Sequence, residues 1–186
     1  MDCPACGTQL PQGAKSCSCG WKKPGMSLAV VLLLVVAGFC LLSVPLVAVV
    51  AAIAIPNLIE ARQAGNEAAA IGAMRTISTS QSLFREADKD GDEVFDYGSL
   101  QELSDSQLID SILGSGTKQG YLYGCTADPQ DPEFRWSAWA NPAVPGTTGG
   151  RYFATNQTGV IWYSKTAPVQ LDAQGEPMGD AAVVGR

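Results

Sequence analysis

Six cysteines are the residues in this chain with the clearest chemical purpose. Four stand close together at the N-terminus, as Cys3-Pro4-Ala5-Cys6-Gly7 and, ten residues later, Cys17-Ser18-Cys19-Gly20. Two pairs of thiolates on separate tight turns can surround a tetrahedral zinc ion, with about 2.3 Å from metal to each sulfur. Gly7 and Gly20 suit the positive φ that such knuckles need. About 25 residues cannot build a hydrophobic core, so the metal would supply the folding energy. The other reading of these thiols is a redox-active or disulfide-linked tail.

A second cluster is acidic. Asp88, Asp90 and Asp92 alternate, with Asp96 following. A hard cation such as calcium takes six to eight oxygens, and alternate aspartates on a turning loop can converge on one. The loop resembles the opening of an EF-hand, but its glycine, Gly91, comes at the fourth position and Ser99 stands where the twelfth-position glutamate belongs. The expectation is a calcium ion stapling the loop; the competing reading is a solvated acidic turn.

Histidine is absent from all 186 residues. That excludes Ser-His-Asp and Cys-His catalysis, histidine-ligated zinc enzymes and any imidazole pH switch. No phosphate-cradling glycine loop is present either, and no catalytic constellation is predicted. A net charge of −6 argues against nucleic acid as a partner, since phosphate binding needs a basic surface. No small-molecule substrate is expected.

Positions 26–55 carry no charged residue over 30 positions and are mostly Leu, Val, Ala and Ile. Roughly 20 helical residues cross a bilayer, so the run predicts a transmembrane helix. It is too long, and starts too late, for the apolar core of a signal peptide. Lys15, Lys22 and Lys23 precede it, giving the flank a charge of +2, whereas the residues after it sum to −8. The positive-inside rule then sets the N-terminus in the cytoplasm and the acidic domain outside. The thiols agree, because a reducing compartment keeps four of them available for metal. Cys125 is the one cysteine beyond the run, so the outer domain must stand without an internal disulfide.

From Ala51-Ala-Ile-Ala-Ile-Pro56-Asn57 to Ser80-Gln81 the chain resembles the type IV pilins and the pseudopilins of type II secretion. That resemblance implies an apolar helical half continuing, past Pro56, as an amphipathic helix packed on a small antiparallel sheet. Ala70, Met74 and Ile77 recur at helical spacing, while Glu60, Arg62, Glu67 and Arg75 can face water. The N-terminal stretch through Leu10-Pro11-Gln12-Gly13-Ala14-Lys15 resembles the small zinc ribbons that open many bacterial membrane proteins. It departs from them in its second pair, Cys-x-Cys rather than Cys-x-x-Cys. Lys22-Lys23-Pro24-Gly25-Met26-Ser27-Leu28 imitates the family's leader, which implies prepilin-peptidase cleavage between Gly25 and Met26. Val30, however, occupies the place of the family's assembly glutamate, and cleavage would discard the cysteine module. An uncleaved membrane-resident protein is the expectation, with processing into a filament subunit as its rival.

Past the helix, short helices are expected at 99–103 and 104–113, the latter capped by Ser104. Strands are expected at 121–125, 134–140, 151–155 and 160–164. Leu122, Phe134, Trp136, Phe153, Ile161 and Tyr163 should face the helix, with Trp139, Tyr152 and Trp162 partly exposed. Asn156-Gln157-Thr158 is formally a glycosylation sequon, but a hairpin turn is the better reading. The fold class is therefore α+β. A zinc ribbon at 1–21 and a basic linker at 22–25 lead into a transmembrane helix at 26–55. A pilin-like ectodomain follows at 56–165, with its helix at 56–86, acidic loop at 88–96 and sheet at 120–164, and then a flexible tail at 166–186. The expected role is a structural or interaction protein anchored in the bacterial inner membrane, its partners being pilin-like subunits or secretion machinery. The alternative is a single-span sensor or tether.

Overall fold

The computed structural model describes residues 2–91 and 93–185, apart from the side chains at 42, 43, 45 and 46. The architecture is α+β, and the chain divides into two compact units, Met1–Ile53 and Ala54–Arg186. One helix, α1, runs Leu28–Glu86 over 59 residues. Ser27 starts it: its hydroxyl accepts from the Val30 N–H at 3.3 Å and its carbonyl from the Val31 N–H, the ordinary work of an N-cap. Helical backbone continues through Pro56. The helix is long and apolar enough to cross a membrane. Between Leu28 and Ile59 the described large apolar side chains are all exposed, from 40% at Val31 to 88% at Leu28.

Within the second unit the character of α1 changes. Ala70, Ala73, Met74, Ile77, Gln81 and Phe84 are buried, a stripe at three- and four-residue spacing that marks one helix face. The stripe belongs to one apolar cluster with Tyr121, Tyr123, Cys125, Trp136, Ala138, Ala140, Phe153 and Ile161. Those residues come from an antiparallel meander of six strands in sequence order. The strands are β1 (Thr117–Lys118), β2 (Tyr121–Ala127), β3 (Trp136–Pro142), β4 (Tyr152–Asn156), β5 (Ile161–Ser164) and β6 (Ala182–Val183). Alternation along β2 and β3 sends odd residues of the first and even residues of the second toward α1, the period of two that a half-buried strand requires.

Two short helices join α1 to the sheet, α2 (Leu100–Asp105) and α3 (Ser111–Gly114). Ser99 and Glu102 form a capping box on α2, and Asp110 caps α3. The expected cap, Ser104, lies inside α2 instead. Its side chain stands where a Cβ on Gly114 would be, 2.4 Å away, so α2 and α3 close on each other only because position 114 has no side chain.

Several expectations need correction. Leu122 and Phe134 are exposed rather than turned to the helix, and Trp162 is buried. Glu67 does not face open water: it accepts from the Gly150 N–H at 2.8 Å and pairs with Arg151 at 2.6 Å. The predicted tail is folded. Leu171 bridges to Pro177, and β6 pairs with β5. Asn156 donates to the Gly175 carbonyl at 2.7 Å, and Arg135 donates to Ala173. This segment covers the outer side of β4 and β5, where Ala154, Asn156, Trp162 and Ser164 are all buried. Asn156 also accepts from Thr158, so the sequon forms a turn whose asparagine is buried while Thr158 is exposed.

Candidate metal centre

Each cysteine pair sits on a knuckle built by the backbone. In the first, the Gly7 N–H donates to the Cys3 carbonyl at 2.9 Å and the Cys3 N–H to Thr8. In the second, the Gly20 N–H donates to the Cys17 carbonyl at 3.0 Å and the Cys17 N–H to Trp21 at 2.8 Å. Both turns place glycine at positive φ, +68° at Gly7 and +93° at Gly20, a region where a Cβ costs energy. The two knuckles are therefore variants of one design, the second shorter by one residue.

Flanking bridges hold the turns shut. Asp2 pairs with Gln9 and Ser16 with Lys22, and the Lys23 N–H donates to the Lys15 carbonyl at 3.0 Å. The module consequently runs through Lys23, and the two lysines assigned to a linker belong to its second hairpin.

The four sulfurs all lie within 4.8 Å of one another. Cys3 Sγ is 3.7 Å from Cys19 Sγ, and Cys6 Sγ is 3.6 Å from Cys17 Sγ. A tetrahedron with bonds of about 2.3 Å from centre to sulfur has edges of about 3.8 Å. These separations are far longer than the roughly 2.05 Å of a disulfide. The cysteines are free thiols arranged as four ligands that could hold one metal ion. The Cys-x-Cys spacing does not prevent closure of the set.

Thr8 is the site residue that the sequence reading passed over. Its hydroxyl lies 3.2 Å from Cys6 Sγ. That hydroxyl and the Thr8 backbone N–H bring the Cys6 thiol down to about 6, because donors stabilise a thiolate. At Cys19 the Trp21 N–H acts in the same sense, but the Cys6 and Cys17 sulfurs oppose it and leave the thiol raised at about 12. Cys6 and Cys19 thus hold their protons with unequal strength, and a cation bound by thiolates must displace thiol protons. A hydroxyl two residues after a metal-spaced cysteine was the available signal.

The remaining predicted sites stand apart. Asp88 lies just past α1 at φ 42° and accepts from the Glu93 N–H at 3.2 Å; Asp92 is outside the described residues. Among the described residues, the cysteine quartet is the one group of metal-ligating side chains gathered closely enough to share an ion, and Asp88, Asp90 and Asp96 form no such group. The loop is gripped by an arginine instead. Arg85, in the last turn of α1, donates to the carbonyls of Phe95 and Glu133 and lies 5.6 Å from the ring centres of both Tyr97 and Phe134. Gly25 and Met26 precede α1 in exposed, irregular backbone.

Cys125 lies in the apolar core and outside the metal-ligating quartet. It is buried beneath Gln81, and burial raises its thiol to about 12, which keeps it protonated and inert. No protein-family model, curated protein or solved structure matches the chain.

Proposed function

We propose that this chain is a membrane-anchored, pilin-like structural or interaction protein of a bacterial envelope, related to type IV pilus or type II secretion subunits. The observation that carries the reading is the division of labour along α1. Its first half carries no charged residue and exposes every described large apolar side chain, and its second half forms the spine of a globular head. The span assigned is 26–55, with the lysines on the cytoplasmic side and the head outside. Zinc is the ion assigned to the quartet, since thiolates favour soft cations and a closed set of four is the structural type of site.

Retention of the leader is part of the proposal. A module with two matched knuckles is a folded, metal-holding element, and cleavage after Gly25 would remove it. A resident anchor that tethers the cytosolic module to an outer head follows more readily than a filament subunit, and Val30 in the glutamate's place supports this.

Mass spectrometry of the protein from native membranes tests the proposal, alongside protease treatment of spheroplasts. The expected results are an intact Met1, one zinc per chain, and a head that is cut from outside while the quartet is protected. A mature chain starting at Met26 would replace the anchor by a filament subunit. A protected head with an accessible quartet would reverse the topology and end both roles.

A further inference from the structure

The sheet face opposite α1 carries a row of residues in register: Gly124, Trp139, Ala154, Trp162 and Val183. The two tryptophans differ. Trp162 is covered by the C-terminal segment at 7% exposure, whereas Trp139 is 40% exposed. A Cβ placed on Gly124 would meet Trp139 Cε2 at 2.4 Å and Cζ2 and Nε1 at 2.5 Å. Three ring atoms at nearly equal distance mean that the indole approaches face-on. One face of the ring rests on the glycine backbone, which leaves the other for solvent.

Two residues along β3 from Trp139, on the same face, Ser137 stands opposite Thr126. Both border a cavity of about 170 Å³ that Gln157, Arg135 and Asp172 help to line. Arg135 is already paired with Asp128 and Asp131 and donates to the Ala173 carbonyl, so the cleft holds no uncompensated cation for an anionic ligand. The hydroxyls of Thr126 and Ser137 and the amide of Gln157 make no hydrogen bond to any described residue, although Ser137 and Gln157 are half-buried. Neutral donors and acceptors that the protein leaves unused beside an aromatic face suit a ligand that is neutral, polyhydroxylic and flat on one side.

We propose that this outer face is a saccharide-binding site. One pyranose ring stacks its C–H face on Trp139, and the adjoining unit enters the cleft to bond Ser137, Thr126 and Gln157. The site lies wholly in the second unit and does not depend on how the chain is anchored.

The test uses the full zinc-loaded chain in phospholipid nanodiscs, which avoid sugar-headed detergents that would compete. Tetrasaccharides of glucose and of N-acetylglucosamine are titrated while tryptophan emission and saturation-transfer NMR are followed. At least one should bind saturably, and Trp139→Ala should weaken it about tenfold or more, which corresponds to about 1.4 kcal/mol. Gly124→Ala, which pushes the indole off its seat, and Gln157→Ala provide a second reading if the tryptophan variant fails to fold. Two outcomes overturn the proposal. One is no binding of either sugar up to about 10 mM, well above the millimolar range of weak ligands. The other is binding that every folded variant retains at full strength.

Discussion

The cysteine module and the head solve the problem of staying folded in opposite ways, and neither uses a disulfide. Among the described residues of the module, Cys3 and Cys17 are the buried side chains; its order comes from two backbone knuckles converging on one point. The head buries Met74, Ile77, Phe84, Tyr121 and Phe153 almost completely, and full burial of such side chains contributes about 1.5–3 kcal/mol each before entropy is counted. Size sets the difference, because a stretch this short cannot remove enough apolar surface from water. The module should therefore live or die by its metal, and the head should be indifferent to it.

Removing the zinc proposed for the quartet is the strongest way to break that contrast. Structural zinc in small modules is worth about 10–16 kcal/mol of apparent binding free energy near neutral pH. Chelation, or Cys3→Ser with Cys17→Ser, should collapse the amide dispersion of residues 2–23 in an NMR spectrum while head resonances stay in place. Equal loss in both regions would mean that the head leans on the module. Because the cation displaces thiol protons, with Cys6 lowered to about 6 and Cys19 raised to about 12, apparent zinc affinity should climb as pH rises and fall as the solution is acidified.

The same contrast explains what the sequence disclosed. The knuckles were legible because metal chemistry fixes residue type and spacing together, and the strands at 121–127, 136–142, 152–156 and 161–164 were legible because aromatic and β-branched runs end at glycine, proline and asparagine. Register was harder. Tyr121-Leu122-Tyr123-Gly124-Cys125 has large apolar residues on both faces, so Leu122 looked inward when Tyr121 and Tyr123 in fact do. The C-terminal segment was missed because it folds without periodicity. Its order comes from turns, such as Asp172 accepting from Gln174 and Glu176 N–H groups, and from a strand of two residues. The grip of Arg85 on the acidic loop could not be read at all, as its partners are carbonyls, which every residue possesses.

Gln81 sharpens the comparison at an intermediate scale. It is fully buried on the apolar face of α1, where a hydrophobic side chain would be expected. Its amide nitrogen donates to the Gly98 carbonyl, its oxygen accepts from the Gly98 N–H at 3.0 Å, and the same nitrogen lies 2.9 Å from Cys125 Sγ. One side chain thus satisfies both backbone groups of a buried loop residue. Gln81→Leu fills much the same volume with a more apolar group, yet orphans that donor and acceptor at about 1–3 kcal/mol each. Urea unfolding of the head should show a loss of that order, with zinc stoichiometry unchanged. A gain in stability would show that the head is held by area alone.

The smallest effect concerns Asp110, which caps α3 by accepting from the Leu113 N–H at 3.0 Å and pairs with Lys118 at 2.6 Å. The Lys118 hydrogen bond, then the Leu113 N–H, holds its carboxyl below the usual value. A depressed folded-state value means that the stabilisation is complete above the ordinary carboxylate range and disappears as pH falls through the lowered one. Asn is as good a cap as Asp, so Asp110→Asn keeps the helix start and removes only the ion pair. Asp110 is exposed and Lys118 half-buried at the surface, which limits the loss to about 0.2–1 kcal/mol near neutral pH, and salt should shrink it further. Parent and variant should converge in stability once the solution is acid enough to protonate Asp110 in the folded chain. A gap that persists there would assign the effect to the cap rather than the charge, and would make this corner of the head depend, as the cysteine knuckles do, on backbone hydrogen bonds.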